Sequence, residues 1–216
     1  MNWRVDENLL VSHLPSGVEL DRWDGDCWAS LVGFQFLHMS VKGMPAFGYR
    51  DFPEINLRFY VKRQVSGETR RGVVFIREIT PHHMVGWVAR ALYNEPYITM
   101  PMRQSVDESR ALYQLQIEGQ WQGLGVRTAG AWRDQDEAEL FITEHYWGYN
   151  TQRNGDTMEY QVEHPTWRVR SIEPDCLDLD IEKLYGEKWA QALGTKPDSM
   201  VLAEGSGVTV QAGIRI

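Results

Sequence analysis

From Ile55 to Lys62 apolar and polar side chains alternate without a break. Ile55, Leu57, Phe59 and Val61 share one parity, Asn56, Arg58, Tyr60 and Lys62 the other, and Glu54 extends the polar set. A period of two is the signature of a strand whose two faces are used differently, and no amphipathic helix produces it. Val65-Ser66-Gly67-Glu68 reads as the turn that follows, with Gly72 to Ile79 returning antiparallel. A chain built on such a hairpin has to complete a sheet around it.

The remaining segments supply further strands. Asp24-Gly25 predicts a hairpin within Val18 to Leu37, Gly119-Gln120 joins Ala111 to Ile117 with Trp121 to Arg127, and Asn154-Gly155 joins Tyr146 to Arg153 with Thr157 to Glu163. Trp167 to Ile172 and one or two strands within Met200 to Ile216 complete the set, and Gly43 to Pro53 reads as a loop that could cover a cavity. Asp6 caps a short helix carrying Leu9, Leu10 and Leu14. Thr80-Pro81 opens a second helix through Tyr93, stopped by Pro96, and Asp180 to Leu193 forms a last one lying on the surface. No strand-helix-strand rhythm appears. The expected class is α+β, mainly β: an antiparallel sheet, closed or doubled, with two or three peripheral helices, in a single domain 1–216.

Charge and composition remove whole classes of function. The net charge is −8, and the only basic pairs are Lys62-Arg63 and Arg70-Arg71, so the electrostatic attraction that dominates nucleic-acid binding is missing. No run approaches the roughly 18 apolar residues of a membrane helix. Cys27 and Cys176 are far apart and outside any CxxC, and no leader-like segment opens the chain, which fits reduced thiols in a cytoplasmic protein. The histidines show no HxH or HxxxH spacing, so no metal is expected. Gly123, Gly125 and Gly130 do not form a dinucleotide fingerprint, and Ser206 lacks a nucleophile-elbow frame; no cofactor is expected.

Two segments carry candidate chemistry. Glu54, Asn56, Arg58 and Tyr60 point the same way at intervals of about 6.6 Å, close enough to line one small oxygenated ligand; a solvated outer sheet face is the equal alternative. Glu144-His145-Tyr146-Trp147-Gly148-Tyr149 is dense in titratable and aromatic groups. Glu144 and His145 face opposite sides of an extended segment, so a buried, hydrogen-bonded histidine is the stronger reading there than an acid/base pair.

Seven stretches together resemble a known family: Leu14-Pro15-Ser16-Gly17-Val18-Glu19-Leu20, Trp23-Asp24-Gly25, Glu54 to Val61, Gly72-Val73-Val74-Phe75, Ala89-Arg90 to Pro96-Tyr97, Glu144-His145-Tyr146-Trp147-Gly148 and Glu204-Gly205-Ser206. They are similar to the YqjF-like proteins of unknown function, within the acetoacetate-decarboxylase-like superfamily. The more remote decarboxylase relation rests on Trp3-Arg4-Val5-Asp6 and on Arg90 to Pro96.

The resemblance implies a curved antiparallel barrel or cone around a central pocket, often in homo-oligomers. It also implies a lysine pair after that proline, one lysine forming a Schiff base. Tyr97-Ile98 stand there instead, and Lys42, Lys62, Lys183, Lys188 and Lys196 all lie elsewhere. Glu54 looks similar in position to an acidic active-site residue, Arg90 to the arginine before the lysine pair, and Tyr97 falls near the pocket floor.

The resulting expectation is a binder of a small organic acid or carbonyl compound without Schiff-base decarboxylase activity. Glu54, Asn56, Arg58, Arg90, Tyr97, His145 and Tyr146 would line the site, Glu54 being the acid/base candidate and Arg58 or Arg90 holding a carboxylate. The alternative is a non-catalytic structural or interaction protein that oligomerises through its aromatic-rich strands.

Overall fold

The structure is a computed structural model, and it describes residues 1–37, 40–41, 44–45, 51–83 and 94–216. The chain opens with β1 (Asn2–Val5), after which the Asp6 carboxylate accepts from Asn8 N at 2.8 Å and caps the helix Glu7–Val11. Next come β2 (Glu19–Leu20), β3 (Cys27–Phe36), β4 (Ser40–Val41), β5 (Met44–Pro45), β6 (Phe52–Val65), β7 (Glu68–Thr80) and β8 (Tyr97–Thr99). A second group comprises β9 (Met102–Val106), β10 (Arg110–Ile117) and β11 (Gln120–Arg133). The helix Glu137–Thr143 precedes β12 (Trp147–Thr151), β13 (Thr157–Glu163) and β14 (Val169–Leu177). Two helices, Ile181–Tyr185 and Glu187–Leu193, then lead to β15 (Leu202–Ala203), β16 (Thr209–Val210) and β17 (Ile214–Arg215).

A ten-stranded sheet runs β1-β3-β6-β7-β12-β13-β16, with β2 on β6, β8 on β7 and β17 on β13, and a five-stranded sheet runs β15-β14-β11-β10-β9. The protein is thus mostly β with a few short helices. Among the described residues neither sheet closes on itself: the hydrogen-bonded paths end at β1 and β16 and at β15 and β9, so the expected barrel or cone is not seen as a continuous ladder.

Local chemistry explains the principal hairpin. Ser66 and Gly67 adopt φ of 51° and 86°, conformations that match the right-handed twist of the β6 and β7 arms. Asp24 and Gly25 also turn as expected, with φ of 51° and 84°. The first arm before that turn does not pair with β3, however. β1 already occupies that edge of β3, from Asn2↔Ser30 to Val5↔Cys27, so β2 crosses to β6 and pairs there through Glu19↔Lys62 and Leu20↔Val61.

The two faces of the large sheet have different partners. Ile55, Leu57, Phe59 and Val61 are fully buried with Ala29 and Leu31 against Leu115, Ile117 and Leu124 of the second sheet. Each such side chain contributes about 1.5–3 kcal/mol relative to exposure. Gly33 makes the close approach possible, since a Cβ there would lie 2.8 Å from the Tyr113 ring. Leu184, Tyr185, Trp189 and Leu193 also enter this core. The final helical segment is therefore not a surface element, and Gly186, at φ 92°, breaks it into two helices so that both can pack. On the opposite face, Phe141 and Ile142 of the helix Glu137–Thr143 cover Tyr60 and Val73. That helix opens on a capping box in which Asp136 accepts from Glu139 N and the Glu139 carboxylate accepts from Asp136 N.

Candidate acid and ligand site

The polar parity of β6 is not a solvated outer face: Glu54 and Asn56 are only 1% and 2% exposed. Register decides what stands beside them. Asn56 lies opposite Glu78 on β7, and Glu78 lies beside Tyr97 on β8, so Glu54, Asn56, Glu78 and Tyr97 share one face. This juxtaposition depends on a β-bulge. Arg58 pairs with Phe75 but Leu57 pairs with Arg77, leaving Ile76 unpaired. Without that extra residue, continuing the pairing from the turn would set Arg77 opposite Asn56. The bulge instead sends Arg77 to the other face, where its guanidinium reaches Leu184 O, and brings Glu78 to the polar face.

The hydrogen bonds at this face are specific. The Tyr97 hydroxyl donates to Glu54 Oε2 at 2.8 Å, and Asn56 Nδ2 donates to Glu54 Oε1 at 3.2 Å. A third carboxyl, Glu95, precedes β8 and accepts from the Tyr160 hydroxyl at 2.8 Å. Tyr160 lies across Gly148, its partner in the β12–β13 ladder; a Cβ at Gly148 would come within 2.1 Å of the ring, so only glycine lets the phenol reach Glu95.

Burial raises the Glu54 and Glu95 carboxyls from the ordinary value of 4.5 to about 7, while their hydrogen-bond donors hold them down. Burial, with Glu95 and Glu54 as neighbouring like charges, pushes Glu78 well above that ordinary value. The arrangement is a set of carboxyls able to give and take protons near neutrality, the property required of general acid/base groups.

Apolar walls flank it. Phe34, paired with Glu54, and Val32, paired with Asn56, are half-buried, as are Phe75 and the Tyr97 ring. Phe34 meets Phe36 edge-on at 4.9 Å, Phe36 meets Phe52 at a tilt at 4.8 Å, and His82 meets Phe52 edge-on at 5.2 Å. Apolar surfaces around a few convergent polar groups are the general make-up of small-molecule sites. An open depression of about 500 Å³ lies elsewhere, lined by Arg133, Arg170 and Lys196. Its Arg133 is committed to Glu139 and its Arg170 to Gly130 O.

The other candidate residues divide. Arg58 continues the face toward Tyr60, with Nη2 donating to Ile142 O at 3.3 Å and Nε buried without a partner. His145 packs on the Tyr60 ring at 4.6 Å and is buried as expected, but its nearest polar partner, Asp21 Oδ2, is 3.6 Å from Nε2. The expected hydrogen bond is therefore not formed. Burial drives its pKa down to about 4, helped by Arg71 and Arg58 and opposed by Asp21. Asp21 itself accepts from Arg71 Nε at 2.6 Å.

Tyr146 belongs to a different neighbourhood: its hydroxyl donates to the Glu144 carboxylate and its ring packs against His164 at 4.8 Å. Arg90, the helix expected over Thr80 to Tyr93 and most of the loop Gly43 to Pro53 lie outside the described residues, although Thr80, Phe52 and Pro53 belong to strands. Glu78, Glu95, Tyr160 and Asp21 are the residues that sequence reasoning missed. Among the described residues no three His, Cys, Asp or Glu side chains converge as metal ligands, and no helix is long and apolar enough to cross a membrane.

Comparison with known proteins gives this arrangement a family. DUF2071, described as an uncharacterized conserved protein, matches residues 1–207. The uncharacterized protein YqjF of Bacillus subtilis (strain 168) is 26% identical over 194 residues, covering 86% of this chain and 77% of the relative. Among solved structures, acetoacetate decarboxylase from Legionella pneumophila subsp. pneumophila str. Philadelphia 1 superposes with a TM-score of 0.59 at 13% identity, covering 100% of this chain and 82% of that one. The enduracididine biosynthesis enzyme MppR, complexed with pyruvate, gives a TM-score of 0.60 at 13% identity, with 99% and 85% covered. At such identities the likeness establishes the fold alone. The chain belongs to the DUF2071 family and carries it on an acetoacetate-decarboxylase-like fold.

Proposed function

We propose that the chain binds a small organic acid or carbonyl compound on the polar face of β6, β7 and β8, and that it does so without imine chemistry. The observation that carries this reading is the buried carboxyl–phenol pair of Glu54 and Tyr97, 2.8 Å apart, where the superfamily resemblance implies a lysine. A phenol cannot form an imine, but it holds a carboxyl in place for proton exchange. Glu54 is the acid/base group, Asn56 orients it, and Arg58 supplies the positive end that attracts a carboxylate. The pyruvate seen with MppR, a protein of the same fold, supports a small oxo acid as the kind of compound to test.

The reading treats 1–216 as one ligand-binding unit with neither nucleic acid nor membrane as partner. Its test is thermal unfolding against a panel of keto, hydroxy and simple carboxylic acids. A binder of the folded state raises Tm by mass action, and Arg58→Leu removes the rise. A flat response across the panel overturns the reading. A second reading, association of copies through the C-terminal strands, draws on Val208, Val210 and Ile214, which are 49%, 52% and 54% exposed. It requires a dimer in sedimentation that Val210→Lys dissociates.

A further inference from the structure

The polar face of β6 to β8 holds three buried carboxyls and, among the described residues, no Lys or Arg within ion-pair distance of any of them. Three acceptors beside them are left unsatisfied, Asn56 Oδ1, Glu78 Oε2 and Glu95 Oε2, and one unpaired donor, Asn150 Nδ2, stands near Glu95. Asn56 turns its amide nitrogen to Glu54, which leaves Asn56 Oδ1 buried without a partner, and Glu78 Oε2 is likewise buried and unpaired. Leaving such an atom unmatched costs about 1–3 kcal/mol, and among the described side chains the Asn56–Glu78 part of this face has no charged donor to meet it. The chain had a cation to offer: Arg77 would occupy this face but for the bulge at Ile76.

We propose that these carboxyls and the Asn56 carbonyl receive a protonated amine or amidine of the ligand, so that the compound bound is an organic acid or carbonyl compound that also carries a cationic nitrogen. This rests on the binding role proposed above and narrows it. An ammonium supplies three donors and a full positive charge, which matches unpaired acceptors such as Asn56 Oδ1 and Glu78 Oε2 among carboxyl groups. A neutral carbonyl offers acceptors only, and it would leave the Asn56 oxygen unmatched. Charge follows from the same geometry: seating a cation ionises the surrounding carboxyls, so binding releases protons to solvent. Arg58, one strand repeat beyond Asn56 and about 6.6 Å along β6, lies on the side where an acid group of the same ligand would extend.

The experiment compares 5-aminopentanoate, 5-hydroxypentanoate and 4-oxopentanoate on the full chain by thermal shift. It adds isothermal titration calorimetry at pH 7 in phosphate and in Tris, whose ionisation enthalpies differ. The amino acid is expected to bind at least tenfold more tightly than either analogue that lacks the ammonium, with net proton release, and Glu78→Gln is expected to narrow that ratio several-fold. Circular dichroism of the variant separates this from unfolding. If the hydroxy or oxo compound binds as well as the amine, or protons are taken up, the cation inference is overturned while the binding role stands. If none of the three binds, both fall together.

Discussion

Glu159 and Glu54 are buried carboxyls of the same ten-stranded sheet, and their surroundings are opposite. Glu159 is 0% exposed and gripped by two guanidinia, Arg63 Nη1 at 2.9 Å and Arg70 Nη1 at 2.5 Å, with Arg70 itself stacked 4.2 Å over Trp147. Glu54 meets a phenol and an amide and shares its surroundings with Glu78 and Glu95. The fold is able to neutralise a buried carboxylate fully when that carboxylate serves packing. At Glu54 the described side chains supply no cation, and burial instead holds the carboxyl at a raised pKa of about 7.

The largest way to break this contrast is to strip Glu159 of a partner. Arg70→Met removes the guanidinium that lies over Trp147 and leaves one guanidinium for a fully buried carboxylate, and should cost about 3–5 kcal/mol. Urea denaturation with an unchanged m-value measures it. A cost under about 1 kcal/mol would mean that Glu159 is no more dependent on its cations than Glu54, and the comparison would collapse.

The second test uses pH. Glu54 and Glu95 are raised in the folded state from 4.5 to about 7, so their favourable contribution is complete below pH 4.5 and is lost as pH rises through about 7. His145 runs the other way: lowered from 6.5 to about 4, it favours the fold above pH 6.5 and loses that contribution as pH falls toward 4. The two slopes oppose each other between pH 4.5 and 6.5, and the carboxyl slope stands alone from there to about 7.5. Glu54 and Glu95, offset by His145, give an expected net fall of about 3 kcal/mol between pH 5 and 8 in denaturant titrations, and Glu78 adds to it in the same direction. Stability rising across that span would show the carboxyls to be compensated after all.

Of opposite sign to the Arg70 result, Glu78→Gln should stabilise the protein at pH 8, because it removes a carboxyl that burial and two like-charged neighbours disfavour as an anion. At pH 5 the gain should be smaller. Equal effects at both pH values would assign the gain to packing and detach it from charge.

The alternation of β6 was legible because its two faces serve different partners, which writes a period of two into Ile55 to Lys62. Ser66-Gly67 was legible because few residues accept positive φ there. The composition of the acid face was not. The bulge falls in Val73-Val74-Phe75-Ile76, a continuous apolar run with no period for an extra residue to interrupt, so nothing in the sequence signals that Glu78 replaces Arg77 opposite Asn56. Glu95 and Tyr160 meet from positions 65 residues apart, and only Gly148, as the bare partner on which an aromatic ring can lie, hinted at the contact. Asp180 to Leu193 read as one surface helix because an uninterrupted helical period cannot represent the turn at Gly186 that lets Leu184, Tyr185, Trp189 and Leu193 all pack inward.

The finest test asks how far a phenol substitutes for a guanidinium. Tyr97 donates to Glu54 at 2.8 Å, and that bond draws the carboxyl's pKa down against the effect of burial. Tyr97→Phe keeps the ring and removes only the donor, so it should cost about 1 kcal/mol at pH 8 and less at pH 5, where a protonated Glu54 gains little from the bond. The same change should move the Glu54 titration upward, as followed by carboxyl-carbon NMR with Glu54→Gln to assign the signal. An unchanged or lower titration point would show that the hydroxyl does not stabilise the anion, and that Glu54 differs from Glu159 in kind and not merely in degree.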